Sequence, residues 1–187
     1  LEPERTGILG EEQVDWLVRE VTASRATWKV ISADMPLGLV VPDGPVNQES
    51  ISNRDPGAPL GKELELAAVL SAFKRNRVRN VLWITADVHY CAAHHYDPAR
   101  AAFTDFDPFW EIVAGPIAAG TFGPNQLDAT FGPQVEFSKV ADYPNQSPRG
   151  GNQFFGHCEI DAGDVLTVSL RDVSGTVLWT KSLEPSR

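Results

Sequence analysis

Cysteine, methionine and long apolar runs are scarce in this sequence, and each scarcity excludes a class of protein. The chain of 187 residues has two cysteines, Cys91 and Cys158, and one methionine. Two cysteines are too few for a disulfide framework or a cysteine-rich zinc module. They form either a single bridge or two thiols, and we favour the thiols. No apolar run approaches the roughly 20 residues that a membrane-spanning helix needs, so no membrane span is predicted.

Basic residues are also few relative to acidic ones, which disfavours nucleic acid as a partner. Sixteen lysines and arginines against 25 aspartates and glutamates give a net charge of −9. A chain with this balance repels a polyanion. A chain of this charge that binds an anionic ligand must offset its own charge locally, and bound cations are the usual means.

What is present is sufficient for one folded unit of the α/β class. Apolar residues make up 42% of the chain and charged residues 22%, as in ordinary globular domains. Apolar side chains at helical spacing predict helices over residues 10–24 and 61–76. β-branched and aromatic runs predict strands, of which the last three form an antiparallel meander. These strands cover residues 28–31, 81–84, 109–113, 153–160, 164–171 and 176–183.

Two stretches rich in proline and glycine separate these elements. Residues 35–59 predict a long loop, and residues 115–133 predict irregular structure. Because no linker or internal repeat divides the chain, residues 1–187 are interpreted as a single domain, or as part of one.

Three of the four histidines lie within seven residues, directly after the most hydrophobic predicted strand. They are His89, His94 and His95, and Asp87 precedes them. In an extended chain, residues two apart point to the same side, so Asp87 and His89 are expected to present their side chains together. Open α/β sheets bind ligands at the carboxyl ends of their strands, and a carboxylate with an imidazole suits zinc, iron or manganese. We therefore predict that Asp87 and His89 bind metal.

The role of His94 stays open at this stage. Neighbouring side chains point in different directions, so at most one of His94 and His95 faces the site. His94 either binds phosphate or orients a ligand after the chain has turned, or else both histidines are partly exposed polar residues. Two or three ligands are too few for a two-metal hydrolytic centre. The chain is thus expected to be incomplete, and an apolar strand such as residues 81–84 to need cover from another segment.

Six blocks carry a resemblance that runs in order over nearly the whole chain. The blocks are residues 9–17, 24–30, 80–89, 109–116, 119–125 and 154–156. They resemble the alkaline phosphatase D (PhoD-like) family of metallophosphoesterases. The resemblance implies the C-terminal half of a metallophosphoesterase-type αββα sandwich that hydrolyses phosphomonoesters, phosphodiesters or both. It places Asp87 and His89 on the family's last ligand motif, with Ala86 where that motif usually has glycine.

The resemblance also implies cofactors, partners and a location. It implies iron and calcium, although other divalent metals suit the same ligands, and a phosphate ester as substrate. The family's earlier ligands, which include a cysteine other than Cys91, are expected in a missing N-terminal segment or a second chain. The resemblance further implies export to the periplasm or the exterior. Two alternatives stay open: a self-contained mononuclear metal hydrolase using Asp87, His89 and His94, and a non-catalytic binding module that retains the fold.

Overall fold

The computed structural model describes residues 7–45, 47–55 and 57–186. The α-helices of this part are α1 (Glu11–Ala23) and α2 (Glu63–Arg75), so both predicted helices are confirmed. The strands are β1 (Lys29–Ser32), β2 (Leu39–Val40), β3 (Pro42–Asp43), β4 (Asn47–Gln48), β5 (Val81–Thr85), β6 (Cys91–Tyr96), β7 (Phe109–Val113), β8 (Gln126–Leu127), β9 (Pro133–Lys139), β10 (Phe154–Ile160), β11 (Leu166–Asp172) and β12 (Val177–Leu183).

These elements form three layers. The central layer is a five-stranded sheet of order β1-β5-β7-β6-β9. In it β1, β5 and β7 are parallel, and β6 runs antiparallel to its neighbours β7 and β9. Helices α1 and α2 pack on one face, and the antiparallel sheet β10-β11-β12 packs on the other. The predicted α/β class with a C-terminal meander is confirmed.

The helices lie on the sheet because each has one apolar face at a spacing of three or four residues. Between them, Glu65 of α2 accepts hydrogen bonds from the amides of Ile8 (2.9 Å), Leu9 (2.7 Å) and Gly10 (3.1 Å). These amides lie just before the first turn of α1. At this end of a helix, backbone N–H groups have no acceptor within the helix. One carboxylate of α2 thus fixes the point at which α1 begins.

Strand β5 is buried on both faces, as its continuous apolar run predicts. Leu82 is fully buried against the C-terminal meander, and Trp83 is 3% exposed beneath the helices. The expectation that the faces of residues 81–84 need cover from another segment is wrong for this strand, because the chain's own helices and meander cover it.

Two strands of the central sheet have no counterpart among the sequence-based expectations. Strand β6 contains both His94 and His95, although the sequence predicts a turn of the chain before His94. Alanine and histidine favour strands weakly, so only pairing with β7 and β9 makes this segment extended. Strand β9 lies at the sheet edge, and in it Val135 and Phe137 alternate with polar residues, a strand pattern that the sequence-based expectations left out.

The predicted loop over residues 35–59 is more ordered and more buried than expected. It contains the two-residue strands β2, β3 and β4, and residues 35–40 are buried throughout. Residues 46 and 56 of this stretch lie outside the described part. Its strand β2 pairs with β8, and Leu39 of β2 lies in one buried cluster with Val88 and Tyr90, so the segment packs against the connection between β5 and β6.

The hairpins of the meander form through aspartate side chains, as their sequences predict. Asp161 Oδ1 accepts hydrogen bonds from the amides of Gly163 (2.8 Å) and Val165 (3.0 Å). Asp172 Oδ1 accepts from the Ser174 hydroxyl (2.6 Å) and from nearby amides. These bonds, led by that of Ser174, lower the pKa of Asp172.

Both cysteines are free thiols, which confirms the favoured alternative. Cys91 is fully buried, and burial raises the pKa of its thiol to about 12. Cys158 is exposed on β10, although partial desolvation raises its pKa as well. Because the thiolate is the reactive form, Cys91 should stay inert in the folded chain.

We expect an aryl disulfide reagent at about pH 8 to label only Cys158 in the folded protein and both cysteines in denaturant. The released chromophore counts the thiols. Labelling of both cysteines at equal rates in the folded state would contradict the burial of Cys91.

Within the residues that the structure describes, no helix combines the length and the apolar character that crossing a membrane requires.

Candidate metal site

The parallel strands β1, β5 and β7 bring their carboxyl ends to one edge of the central sheet. The chain leaves β5 at Thr85 and passes through residues 86–90 before it enters β6. This connection, which we call the metal-site bend, contains both predicted ligands. Pairing of β1 with β5 continues past the strand ends, since the Ala86 amide donates to the carbonyl of Asp34 at 3.0 Å. The site therefore occupies the edge at which open α/β sheets bind ligands.

The backbone of the metal-site bend is not extended. The expectation that Asp87 and His89 point to the same side of an extended chain is therefore wrong. Asp87 has φ 64° and His89 has φ 58°, both in the left-handed region. The Val88 amide donates to the carbonyl of Ala86 at 2.8 Å, which encloses Asp87 in a three-residue turn. Residues other than glycine rarely adopt such angles, and when they do the site is often functional. The bend needs them because β5 must turn sharply to reach β6 across the end of β7.

One ring nitrogen of His89 has a defined partner. Its Nδ1 lies 2.8 Å from the carbonyl oxygen of Gly120, in the segment that follows β7. A carbonyl oxygen can only accept, so Nδ1 carries the proton. In the neutral ring Nε2 is then an unprotonated acceptor, the form that binds a metal ion. The ring also packs on Phe122, with centroids 5.6 Å apart.

Asp87 and Asp34 supply exposed carboxylates at this edge. Neither carboxylate accepts a side-chain hydrogen bond from the described residues, so each is available to a cation. In residues 7–45, 47–55 and 57–186, however, no three His, Cys, Asp or Glu side chains come together in a group able to hold an ion. The described part of the chain thus forms no complete coordination shell by itself.

Tyr90 closes the inner side of the metal-site bend. It is buried, and this desolvation raises the pKa of its hydroxyl to about 12, so the phenol stays protonated near neutral pH. The ring leaves no space at Gly123, where an added Cβ would lie 2.6 Å from Tyr90 Cδ1. Gly123 also has φ 88°, so glycine is required there for two independent reasons.

His94 lies beneath the site and not on its surface. The side chain is 1% exposed, and its Nδ1 lies 3.0 Å from Oε2 of Glu111. Direct contact with a phosphate therefore lacks support, and the interpretation of His94 as a partly exposed residue is wrong. An indirect role in orienting the site stays a prediction. His95 differs from His94 because it is partly exposed, with its ring centroid 4.9 Å from that of Trp110.

Glu111 is the centre of a buried hydrogen-bonded group that we call the Glu111 cluster. Its carboxylate is fully buried on β7. One oxygen accepts from the Leu37 amide (2.7 Å) and the Thr85 hydroxyl (3.2 Å). The other accepts from the Tyr96 hydroxyl (2.8 Å) and contacts His94. Since Thr85 is the last residue of β5, the cluster fixes the strand end from which the metal-site bend departs.

Sequence reasoning missed both Asp34 and Glu111, although each left a signal. The ends of β1 and β5 carry Ser-Ala-Asp (residues 32–34) and Thr-Ala-Asp (residues 85–87), each starting at the last residue of its strand, and parallel neighbours bring such repeats to one edge. Glu111 is the only charged residue in the apolar run of β7, which is typical of a buried carboxylate with specific partners.

Comparison with known proteins agrees with this architecture. No curated protein matches the sequence. A solved structure titled "Structure of PhoD" is similar to this chain with a TM-score of 0.52 at 17% sequence identity, which shows a shared fold. The match covers 97% of this chain but 36% of the other, so the chain spans about a third of that protein's length. The sequence pattern of the family described as PhoD-like phosphatase matches residues 1–170. The chain belongs to the PhoD-like phosphatase family.

Proposed function

We propose that this chain is the C-terminal part of the catalytic domain of a metal-dependent phosphoesterase, and that Asp87 and His89 are two of its metal ligands. The observation that carries the proposal is the bond between His89 Nδ1 and the Gly120 carbonyl, which leaves Nε2 as a lone-pair donor. The exposed carboxylate of Asp87 lies two residues away on the same sharp bend. Family membership supports a phosphate ester as the substrate.

Asp87 and His89 have side chains of the kind that bind metal ions, but two ligands are too few for a complete metal centre. A carboxylate oxygen and an imidazole nitrogen are ligands that iron accepts, and a hard ion such as calcium relies more on the carboxylate. We propose iron and calcium in this site. We further propose that the other ligands belong to a segment outside this chain and that the complete protein is exported.

Bound cations in such a centre would polarise phosphoryl oxygens and provide a nucleophile at neutral pH. The residues of this chain have a preparatory role. Asp87 brings negative charge that attracts the ions. The bound ions would in turn reduce the electrostatic repulsion between an anionic substrate and a chain with a net charge of −9. His89 is held in one tautomer by Gly120, so no ring rotation is needed when it binds. Hydrolysis of a phosphomonoester, a phosphodiester or both is the reaction that this arrangement supports.

The mononuclear alternative has less support. It requires His94 beside Asp87 and His89, but His94 is buried against Glu111. The binding-module alternative predicts the same fold without turnover, so activity of the complete protein separates it from the proposed function.

The direct test is replacement of Asp87 by asparagine in the complete protein. Asparagine tolerates the left-handed backbone at this position, so the fold should be retained while the charge is lost. Metal content should fall, and turnover of an aryl phosphate and of a bis-aryl phosphodiester should drop more than about 100-fold, beyond the usual loss for a residue that only supports a ligand.

Asp164→Asn is the matched control. Asp164 is also exposed and also has a positive φ of 67°, but it lies in the hairpin between β10 and β11. It should keep full metal content and activity. Wild-type turnover by the Asp87 variant would show that the metal site lies elsewhere, and a wild-type protein that loads metal without hydrolysing either ester would favour the binding module.

A further inference from the structure

We infer that the free edge of β10 is the docking edge for a β-strand of the segment outside this chain that carries the missing metal ligands. The inference rests on the proposed function in so far as that function requires a segment with further ligands. Its structural part, an unpaired strand edge beside uncovered apolar side chains, rests on the described residues alone. It assigns a role to β10, which contributes no residue to the candidate metal site.

The backbone of β10 is paired on one side only. It is an outer strand of the sheet β10-β11-β12, and just beyond it the Asp161 amide donates to the Val165 carbonyl at 3.1 Å. Because hydrogen-bonded pairs alternate along an antiparallel ladder, the odd-numbered residues of β10 bond to β11 and the even-numbered ones face away. The Phe154 amide agrees, since it donates to the Pro116 carbonyl at 2.8 Å. Among the residues that the structure describes, none bonds to the other outward backbone groups, which are those of Gly156, Cys158 and Ile160.

The free edge of β10 lacks the features by which proteins protect an unpaired strand. Exposed edges usually carry proline, lysine or a β-bulge, because a bare edge pairs readily with another strand. The other two long edge strands follow this rule. Strand β9 begins at Pro133 and ends at Lys139, and β12 contains Lys181 and a register shift in its pairing with β11. Strand β10 has no proline, lysine or arginine and no register shift, so its edge is suited to pairing with a further strand.

Apolar side chains that point into the sandwich are uncovered near this edge. Ile160 of β10 lies opposite Leu166, which is fully buried between the sheets, and directly opposite residues share a face. Ile160 therefore points inward, yet it is 51% exposed. On the central sheet, Val30 of β1 lies opposite the buried Leu82 and is 48% exposed. We call the free edge of β10 together with Ile160 and Val30 the open flank.

The parts of the open flank lie on the same side of the molecule. At the far side, the ring of Trp179 on β12 packs on Trp110 of β7 and Phe137 of β9, with centroids 5.9 and 6.3 Å apart. Strand β10 is the opposite edge of the meander and therefore lies toward β1. Trp28, just before β1, confirms this placement, because its Nε1 donates to the carbonyl of Asp164 in the hairpin after β10 at 2.7 Å.

The open flank adjoins the candidate metal site. Strand β10 starts beside the carboxyl end of β7, since a Cβ at Gly156 would lie 3.2 Å from that of Ala114. Asp34 follows β1 by two residues and lies at the same edge of the central sheet as Asp87 and His89. A strand that pairs with β10 and covers β1 therefore reaches the edge at which the described residues form no complete coordination shell.

The occupant that we assign to the open flank is a segment of the same protein. The related solved structure matches 97% of this chain, but the match covers 36% of that protein, so the relative contains further chain with no counterpart here. One such segment would account for both the unpaired edge of β10 and the missing ligands. A second copy of this chain is the competing occupant.

Amide hydrogen exchange in the complete protein, resolved by residue and measured without added metal, tests the pairing. We expect the outward amides of Gly156 and Cys158 to exchange at least about 100-fold more slowly than unprotected amides, because the docked strand accepts hydrogen bonds from them. The amides of His157 and Glu159 are the internal control, since β11 protects them whether or not a strand docks. Fast exchange at the two outward positions beside slow exchange at the two control positions overturns the inference.

Ile160→Lys in the complete protein tests the apolar contact. A docked strand would bury the introduced charge, so the melting temperature of the metal-free protein should fall by at least about 5 °C. Val173→Lys is the matched control, because Val173 is an exposed apolar residue in the hairpin between β11 and β12, away from the open flank. It should melt within about 2 °C of the wild type. Equal melting temperatures of the two variants would contradict a covered Ile160, and hydrogen exchange in the wild type decides the matter if Ile160→Lys does not fold.

The outcomes separate this inference from the proposed function and from dimerisation. Protection of the Gly156 and Cys158 amides that disappears on dilution, together with a doubled mass in light scattering, assigns the edge to a second copy and overturns the inference. The docked strand should also slow the labelling of the Cys158 thiol in the complete protein relative to the folded 187-residue chain by itself. Because exchange is measured without metal, its result keeps its meaning if Asp87→Asn leaves metal binding unchanged, the outcome by which the proposed metal site fails.

Discussion

Replacing His89 by alanine in the complete protein should remove most bound metal and nearly all phosphoesterase activity while the chain stays folded. The imidazole lies on a bend at the sheet surface, so its loss creates no core cavity. What is lost is the Nε2 lone pair that Gly120 orients. We expect the defect to exceed the roughly 100-fold upper range for residues that only support a ligand. Metal analysis and kcat on the same preparation measure it.

The other two clustered histidines provide graded controls. His94→Ala should reduce activity less, and it should lower stability because His94 belongs to the Glu111 cluster. His95→Ala should be mildest, since the ring is partly exposed and contacts Trp110. Loss of metal in the His95 variant together with retention in the His89 variant would refute the assignment of ligands.

Replacing Glu111 by alanine should destabilise the fold by about 3 kcal/mol or more, because each buried group left without a hydrogen-bond partner costs about 1–3 kcal/mol. The substitution leaves the Leu37 amide, the Tyr96 hydroxyl and His94 without their acceptor in the buried interior. Each unsatisfied buried group carries its own desolvation cost. Denaturant unfolding followed by tryptophan fluorescence gives the difference in free energy of unfolding.

Glu136→Ala is the control for this prediction. Glu136 lies on the edge strand β9 and is exposed, so the same chemical change there should alter stability by no more than about 0.5 kcal/mol. Equal stability of the Glu111 variant and the wild type would mean that the cluster contributes nothing net to folding.

The elements that sequence predicted are those whose own residues determine their structure. Helices α1 and α2 have apolar faces at helical spacing, and β5 is a continuous apolar run. Strand β6 was missed because Ala-Ala-His-His has no periodic pattern, and its extended form depends on β7 and β9. Pairing between distant segments leaves no local trace in such a sequence.

In the candidate site, too, local sequence predicted the residues, whereas contacts with distant segments could not be predicted. Asp87 and His89 could be chosen because ionisable residues follow the most apolar strand. Their backbone angles could not be predicted, since neither residue is glycine. The partners of His89 and His94 lie 31 and 17 residues away, and no local pattern indicates those distances. Gly120 contacts His89 through its backbone carbonyl, a group that every residue has. The residue type at position 120 therefore could not predict this contact.

The attachment of the metal-site bend to the segment of residues 119–122 has a consequence for biosynthesis. During translation the ribosome releases Asp87 and His89 well before Gln146 and Gln153, the residues that hold the segment in place. An ion that met the nascent chain early would find an imidazole free to rotate and to adopt either tautomer. If Asp87 and His89 bind metal as proposed, productive loading is expected only after the chain through residue 153 has emerged and folded, late in maturation.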